Sequence, residues 1–477
     1  MRVARFAKAH PVGPSNRPCQ WAWWGLGLQS AVGASLWSGL VRTGQGRERS
    51  KEVSVEVAVI GAGYVGLVTA AGLARLGHTV RLAESDELRL AMLTKGESPI
   101  YEPGLQELLS EVIQSGALSL FSSNLDAVRG AAVVVIAVPT PQSASGAADT
   151  TIVEQVVSDI APHLDLGAVI ALKSTTPTDS FTRLQETLDH HSKGGHLVIN
   201  PEFLREGAAV ADFLKPDRIV LGVASDGAVE RMTSLYADLG APLVVTDPVS
   251  AGIIKYAANA FLATRISFAN AIANVCEAVG ANVRDVLLGM GFDRRIGFHF
   301  LDPGPGFGGS CLPKDTQALV ALADEGGYDF ALLRGVIDVN QQQMARVLSK
   351  VRRALNGSVA GRTVGVWGLA FKAGTDDVRE SPAVWVAKEL ANEGAVVLAY
   401  DPRARVVDDG ITQVGSALDA VRDADALVIL TEWDEFQTVS LGELRTTMRG
   451  RVVVDARNLL DPEAVRRHGF TYLGVGR

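Results

Sequence analysis

The sequence predicts an α/β protein: two Rossmann-like, doubly wound parallel-sheet domains joined by a long central helix, behind a disordered N-terminal tail. Three observations predict this. A Gly-rich turn, "GAGYVG" at 61–66, sits between an apolar β-branched run and a helical pattern. Short apolar runs of strand length recur before residue 249 and again after residue 356. Between them an alanine-rich stretch carries apolar residues at helical period on more than one face, as a buried helix does.

Residues 1–52 differ in character from the rest of the chain. Within them "CQWAWWGLGLQSAVGASLWSGLV" (19–41) has no charge and holds four of the seven tryptophans, behind Arg2, Arg5, Lys8 and Arg17. A secretory signal or membrane anchor has such flanks. Gly, Ser and Gln dilute the run and no clean A-x-A site comes after it, so the preferred reading is a disordered tail or an over-extended translation start. No membrane partner is expected.

Residues 53–249 read as an N-terminal dinucleotide-binding domain, with strands in "VSVEVAVIG", "VRLAES", "AAVVVIAVPTP", "GAVIALKSTTP", "HLVINPEF" and "RIVLGVA". Residues 250–355 read as a central helical domain, beginning with a helix from Ser250 to about Gly289. Residues 356–477 read as a smaller α/β domain with strands in "RTVGVWGLA", "AVVLAYDP", "DALVILTEW" and "RVVVDARN". Each sheet places ligands at the carboxyl ends of its strands. A chain of 477 residues has length for several cores. Its net charge of −8 supplies no basic stripe, which argues against nucleic acid as a partner. Cys19, Cys276 and Cys311 are odd in number and widely spaced. That rules out a disulfide framework or Cys-rich zinc site and suits a reducing cytoplasm.

In the fingerprint, Gly61 permits the tight turn, Gly63 admits a pyrophosphate to the helix start, and Gly66 allows close helix–strand packing. Glu84 ends the second strand, where it hydrogen-bonds a ribose 2′-OH and repels a 2′-phosphate, so NAD is favoured over NADP. Further on, "PGFGGSCLPKDTQALV" (305–320) sets Cys311 just before Pro313, a residue suited to the first turn of a helix. A helix N-terminus and the nearby Lys314 both lower a thiol pKa, while Gly308 and Gly309 let a substrate approach the backbone. The same cysteine also fits an inert buried thiol, and these residues alone leave both readings open. Lys255 and Asn259 in "IIKYAANA" share a helix face and can hold an oxyanion. Glu202 and Glu206 in "NPEFLREG" and Thr175 in "KSTTP" lie at strand ends.

From about Val55 to Arg477 the chain resembles the UDP-glucose/GDP-mannose dehydrogenase family, through "GAGYVGLVTA", "SPIYEPGLQELL", "VPTP", "KSTTP", "NPEFLREG", "IKYAANAFLATRISFANAIA", "FGGSCLPKD", "FKAGTDDVRESP" and "ADALVILTEWDEF". The resemblance implies four-electron oxidation of a nucleotide sugar by NAD through a cysteine thiohemiacetal and thioester. It makes Cys311 the nucleophile, Lys255 and Asn259 oxyanion stabilisers, Asp315 and Thr175 positioners of water, and Glu202 the base for thioester hydrolysis. Cofactor contacts fall on Gly61, Gly63, Tyr64, Val65, Gly66, Glu84, Thr140, Thr175, Glu206 and Arg379. Substrate contacts fall on Phe203, Leu204, Lys255, Asn259, Phe307, Gly308, Lys372 and Arg457, with Arg295 reaching across a homodimer interface; no metal is implied. The loop "TPTDS" departs from the family's V-P-x-G-T, and Glu84 stands where aspartate is commoner. The C-terminal run "TEWDEFQTVSLGELRTTMRGRVVVDARNLLDPE" favours UDP-glucose as substrate, with GDP-mannose the alternative. A simple two-electron 3-hydroxy-acid dehydrogenase needs no cysteine, and an NAD-sensing protein needs none of the set Lys255, Asn259, Cys311 and Asp315.

Overall fold

The computed structural model describes residues 41–42 and 54–477, apart from 144–145, 147, 177–179 and 193. The tail expected over residues 1–52 lies outside the described residues except for Val41–Arg42. Those two form a strand antiparallel to Leu243–Val244, so this much of the expected tail joins a sheet.

The predicted βαβ unit comprises strand Glu56–Ile60, helix Tyr64–Arg75 and strand Thr79–Ala83. Six parallel strands lie side by side in the order Leu118–Phe121, Thr79–Ala83, Glu56–Ile60, Val133–Ile136, Val169–Leu172 and His196–Ile199. Their apolar, β-branched runs are covered on both faces, as parallel strands require. Strand order reverses beside Glu56–Ile60, which opens a crevice at the carboxyl edge.

Beyond His196–Ile199 the sheet departs from the parallel pattern expected. Ile219–Val223 runs antiparallel to it, and Leu243–Thr246 is parallel to Ile219–Val223. The cause is the connection: its one helix, Ala209–Leu214, has six residues and spans only about 9 Å. Residues 200–218 therefore stay at the carboxyl edge, with Glu202 and Glu206 among them.

The C-terminal sheet is all parallel, in the order Ile411–Gln413, Val396–Tyr400, Thr363–Trp367, Ala426–Ile429, Val452–Asp455 and Thr471–Gly474. It repeats the strand order of the first six. Four of these strands are expected from sequence; Ile411–Gln413 and Thr471–Gly474 are short edge strands with little apolar run to reveal them.

Between the sheets stands helix Pro248–Val279, with 32 residues and a length of about 48 Å. Asp247 caps its start by accepting from the Ser250 N–H, and Pro248 fills its first turn. Gly280, at φ 76°, ends it short of the expected Gly289, and a separate helix Val283–Gly291 comes next. Helices Leu312–Glu325 and Ala331–Ala354 complete this region, broken at Gly326–Gly327. The long helix is not buried all round, as its sequence suggests. Phe261, Phe268, Val275 and Val279 are 62%, 49%, 56% and 72% exposed. Sevenfold spacing of the first three keeps them on one face.

Candidate active site

The turn after Glu56–Ile60 fits a dinucleotide. Gly61 has φ 95°, and a Cβ there would meet the Ala137 carbonyl at 2.8 Å. A Cβ on Gly66 would come within 1.9 Å of the Gly61 carbonyl, so only glycine lets helix and turn pack. Around Gly63 there is open space, and no side chain caps the helix that starts at Tyr64 and Val65. Its first N–H groups are thus available to phosphate. Glu84, buried at the next strand end, accepts from the N–H groups of Ala62 and Asp86 at 2.9 and 2.8 Å. These bonds fix the carboxylate and leave it lone pairs for a ribose hydroxyl.

"NPEFLREG" crosses the same edge and is held there by Glu102, which sequence reading left without a role. Its carboxylate accepts from the N–H groups of Gly207 and Ala209, both at 2.7 Å, while the Tyr64 hydroxyl accepts from Gly207 at 2.9 Å. Glu202 then meets the long helix. Lys255 Nζ lies 2.7 Å from Glu202 Oε1 and donates to the Glu202 carbonyl at 2.8 Å, with both side chains buried. Burial pushes the Glu202 carboxyl up, but the Lys255 ammonium outweighs it and holds the group below its ordinary value. Burial likewise presses Lys255 down, and Glu202 more than restores it. Leu204 N–H donates to Glu202 Oε2 at 2.6 Å, and Phe203 has the Arg218 guanidinium 3.5 Å from its ring centre.

One turn along, Asn259 Nδ2 donates to Asp315 Oδ2 at 2.6 Å. Asp315 Oδ1 is buried with no hydrogen-bond donor among the described residues; Lys314 Nζ sits 3.3 Å away without the alignment of a hydrogen bond. Lys314 also reaches Thr140 Oγ1, at 3.5 Å. Thr175 is half-buried in the loop after strand Val169–Leu172.

Cys311 occupies the N-cap of helix Leu312–Glu325, as the sequence places it. The expected activation by Lys314 does not hold. Burial is the largest influence and pushes the thiol up to about 11; Lys255 draws it down, and Glu202 and Asp315 push it up again. One ammonium cannot offset desolvation and two carboxylates, so the resting thiol is protonated.

Three buried amides, none of them predicted, hold the loop that delivers Cys311. Asn270 Oδ1 accepts from Gly304 N–H at 2.8 Å, and Gln343 Nε2 donates to the Gly304 carbonyl at 2.9 Å. Asn340 brackets the buried Phe307, accepting from its N–H at 2.7 Å and donating to its carbonyl at 3.0 Å. Gly308 and Gly309, expected to admit the substrate, also serve packing. A Cβ on Gly308 would meet the Glu380 carbonyl at 2.2 Å, and one on Gly309 the Phe371 ring at 2.8 Å. Small residues here let the C-terminal region close over the loop.

From that region come Lys372, Arg379 and Arg457. Lys372 lies 5.5 Å from the Phe371 ring centre, and burial lowers its pKa. Arg379 pairs with Asp377 at 2.6 Å and with Glu206 at 3.7 Å. Arg457 donates to the carbonyls of Leu430 and Phe371 and lies 2.9 Å from Glu432. Its guanidinium ties down the loop bearing Lys372. Arg295 is not brought to the site within one chain: it is exposed and pairs with Asp293 at 2.6 Å.

Comparison with known proteins finds one family along the N-terminal, central and C-terminal regions. Residues 55–240, 249–342 and 365–462 match the NAD binding, central and UDP binding domains of the UDP-glucose/GDP-mannose dehydrogenase family. A UDP-glucose 6-dehydrogenase of Rhizobium meliloti is 42% identical over 435 residues, covering 89% of this chain and all of that one. UDP-glucose 6-dehydrogenase TuaD of Bacillus subtilis is 41% identical, covering 88% of this chain and 93% of its own. Among solved structures, a UDP-glucose dehydrogenase from Pyrobaculum islandicum superposes with a TM-score of 0.83 at 36% identity, covering 90% of this chain and all of that one.

Two substitutions test this geometry. Gly63→Ala should unfold at the wild-type temperature yet bind NAD at least tenfold more weakly in calorimetry, because its Cβ enters the space the pyrophosphate needs. Asn340→Ala strands both polar groups of Phe307 and should cost on the order of 2–3 kcal/mol in denaturant melts. Turnover by the folded fraction should also drop, since the Cys311 loop loses its clamp.

Proposed function

The chain belongs to the UDP-glucose/GDP-mannose dehydrogenase family, and from that premise we propose that it is an NAD-dependent UDP-glucose 6-dehydrogenase, taking the C6 alcohol of UDP-glucose to the carboxylate of UDP-glucuronate. The observation that carries the reading is the meeting of Cys311 with Lys255, Asn259, Asp315 and Glu202 at the carboxyl edge of the first sheet. A hydroxy-acid dehydrogenase has no use for that thiol, and a sensor has no use for the charges around it.

NAD, when bound, accepts a hydride in each of two oxidation rounds. Gly61, Gly63, Tyr64, Val65, Gly66 and Glu84 would hold its pyrophosphate and ribose, with Thr140, Thr175, Glu206 and Arg379 nearer the reacting end. Lys255 and Asn259, one helical turn apart, stabilise negative charge developing on the C6 oxygen. The Cys311 sulfur adds to the intermediate aldehyde as a thiohemiacetal, and loss of the second hydride leaves a thioester. Asp315 Oδ1, an acceptor with no donor among the described residues, and Thr175 position water. Glu202, kept ionised by Lys255, takes the water's proton as the thioester hydrolyses and the thiol leaves.

The C-terminal region would grip the nucleotide, through Lys372 on the loop that Arg457 braces. Phe203, Leu204, Phe307 and Gly308 complete the substrate's surroundings, and the similarity to UDP-glucose enzymes favours that sugar over GDP-mannose. The apolar row Phe261, Phe268 and Val275 supports a homodimer built on the long helix, from which Arg295 reaches the partner's substrate. Among the described residues no helix is long and apolar enough to cross a membrane. Free Cys276 and Cys311 and the use of NAD fit work in the cytoplasm.

Wild-type protein should form two NADH per UDP-glucose consumed and prefer UDP-glucose to GDP-mannose; one NADH per sugar would overturn the four-electron reading. Cys311→Ser should keep NAD binding but lose steady turnover by at least about a thousandfold. Glu202→Gln should release a burst of NADH and then stall as a thioester, visible by mass spectrometry of the intact chain. Phe268→Glu should shift the protein from dimer to monomer in sedimentation velocity; an unchanged species would refute the proposed interface.

A further inference from the structure

The thiol of Cys311 has to lose its proton as it attacks, and most of its neighbours are poorly placed to take it. With the thiol raised to about 11, on the order of one molecule in 10⁴ carries a thiolate at pH 7. Lys255 is already protonated. Glu202, whose part comes later with the water of hydrolysis, makes no hydrogen bond to the thiol among the described residues. Asp315 is committed to Asn259 through Oδ2, and among the described residues it makes no hydrogen bond to the thiol.

Ser310 is placed differently. Its hydroxyl donates to Glu206 Oε1 at 3.0 Å, and its oxygen lies 3.5 Å from Cys311 Sγ. With its own hydrogen on Glu206, that oxygen is free to accept from the thiol. Thr375, on the C-terminal side, donates to Glu206 Oε2 at 3.3 Å, which fixes the orientation of the carboxylate. We propose that Ser310 relays the proton of Cys311 to Glu206 as the sulfur attacks.

In this step the S–H bond breaks as the C–S bond forms. The thiol proton passes to Ser310 Oγ while the Ser310 hydrogen passes to Glu206 Oε1. The carbonyl π pair moves onto oxygen, beside Lys255 and Asn259, and no oxidant is consumed. Glu206 suits the task. Burial and then Asp377 push it up to about 7, against Ser310, Arg379 and Lys372, which favour the carboxylate. The charged groups facing the thiol are Lys255, Glu202, Asp315 and Arg379. Glu206 is ionised, and able to accept, above about pH 7; below it the relay closes.

The proposal rests on Cys311 as nucleophile, but its test does not need turnover. Full-length protein, without NAD or sugar, is treated with iodoacetamide from pH 5.5 to 9, and the Cys311 peptide is quantified by mass spectrometry. Iodide leaves as the S–C bond forms, and the proton takes the same path. Wild-type alkylation should rise to an inflection near pH 7, level off, and climb again above about pH 8 where direct ionisation overtakes the relay. Ser310→Ala and Glu206→Gln should react roughly tenfold more slowly at pH 7. Both should lose the inflection, climbing about tenfold per pH unit as direct ionisation takes over. Ser310→Thr, which keeps the hydroxyl, should retain the wild-type curve. Glu206→Gln keeps an amide oxygen that can accept from Ser310 but cannot take up a proton, so its curve decides even if Ser310→Ala fails to fold. A wild-type inflection surviving in Glu206→Gln overturns the relay. Full turnover in Cys311→Ser would overturn the covalent reading and leave the alkylation result standing.

Discussion

Lys255 carries its ammonium to a point where the residue is only 4% exposed, and the surroundings of Cys311 are arranged around the cost of that burial. An unpaired ion there costs several kcal/mol even after relaxation. The Glu202 carboxylate and carbonyl, at 2.7 and 2.8 Å, offset it, and in doing so they tie the long helix to the edge of the first sheet. A second lysine shows what happens without such a partner. Lys173, at the end of strand Val169–Leu172, is buried with its ammonium 5.6 Å from the Tyr236 ring. Burial draws its pKa to about 8, Glu202 resists, and Lys255 adds to the fall. One lysine keeps its charge because it holds the carboxylate; the other partly yields it.

The pair has value only if the thiol arrives at the same place, and that depends on backbone rather than charge. Residues 304–311 have little secondary structure, so their polar groups need partners from elsewhere. Asn270, Asn340 and Gln343 supply them from two helices of the central region. Gly308 and Gly309 let residues 371–382 lie directly on the loop. Glu206 meets Ser310 on one side and Thr375 on the other, so the C-terminal region also touches the chemistry from behind. The site is thus assembled from three separate parts of the chain.

The parts most legible in the sequence are those written in local pattern. Gly61, Gly66 and Glu84 stand where strand–turn–helix spacing puts them, and both sheets are foreshadowed by short apolar runs. Lys255 and Asn259 fall on one face because helical period requires it. What escaped is long-range. Nothing near Ile219 signals an antiparallel strand, because its direction depends on a short connection staying at one edge. Asn340 and Gln343 look like ordinary polar residues of a helix until Phe307 and Gly304 are seen to need them. The exposed row on the long helix reads as core, since apolar period alone cannot say whether another element of the chain covers it. Lys314 misleads for the converse reason: closeness in sequence to Cys311 is not closeness of charge, and the nearby ammonium comes from a helix 56 positions earlier.

A neutral resting thiol is consistent with the work proposed for this site. The alcohol has to enter beside Lys255 and Asn259 before any carbonyl exists for sulfur to attack. A standing thiolate would compete for the Lys255 ammonium, which the developing oxygen anion needs. It would also be exposed to alkylation and oxidation between turnovers. Two carboxylates and the loss of solvation at a half-buried position hold the proton on sulfur, and the charge is released only when a nearby acceptor takes that proton during attack. The raised thiol pKa is therefore compatible with nucleophilic chemistry, provided the acceptor lies within one hydroxyl of the sulfur. Glu206 lies at that distance.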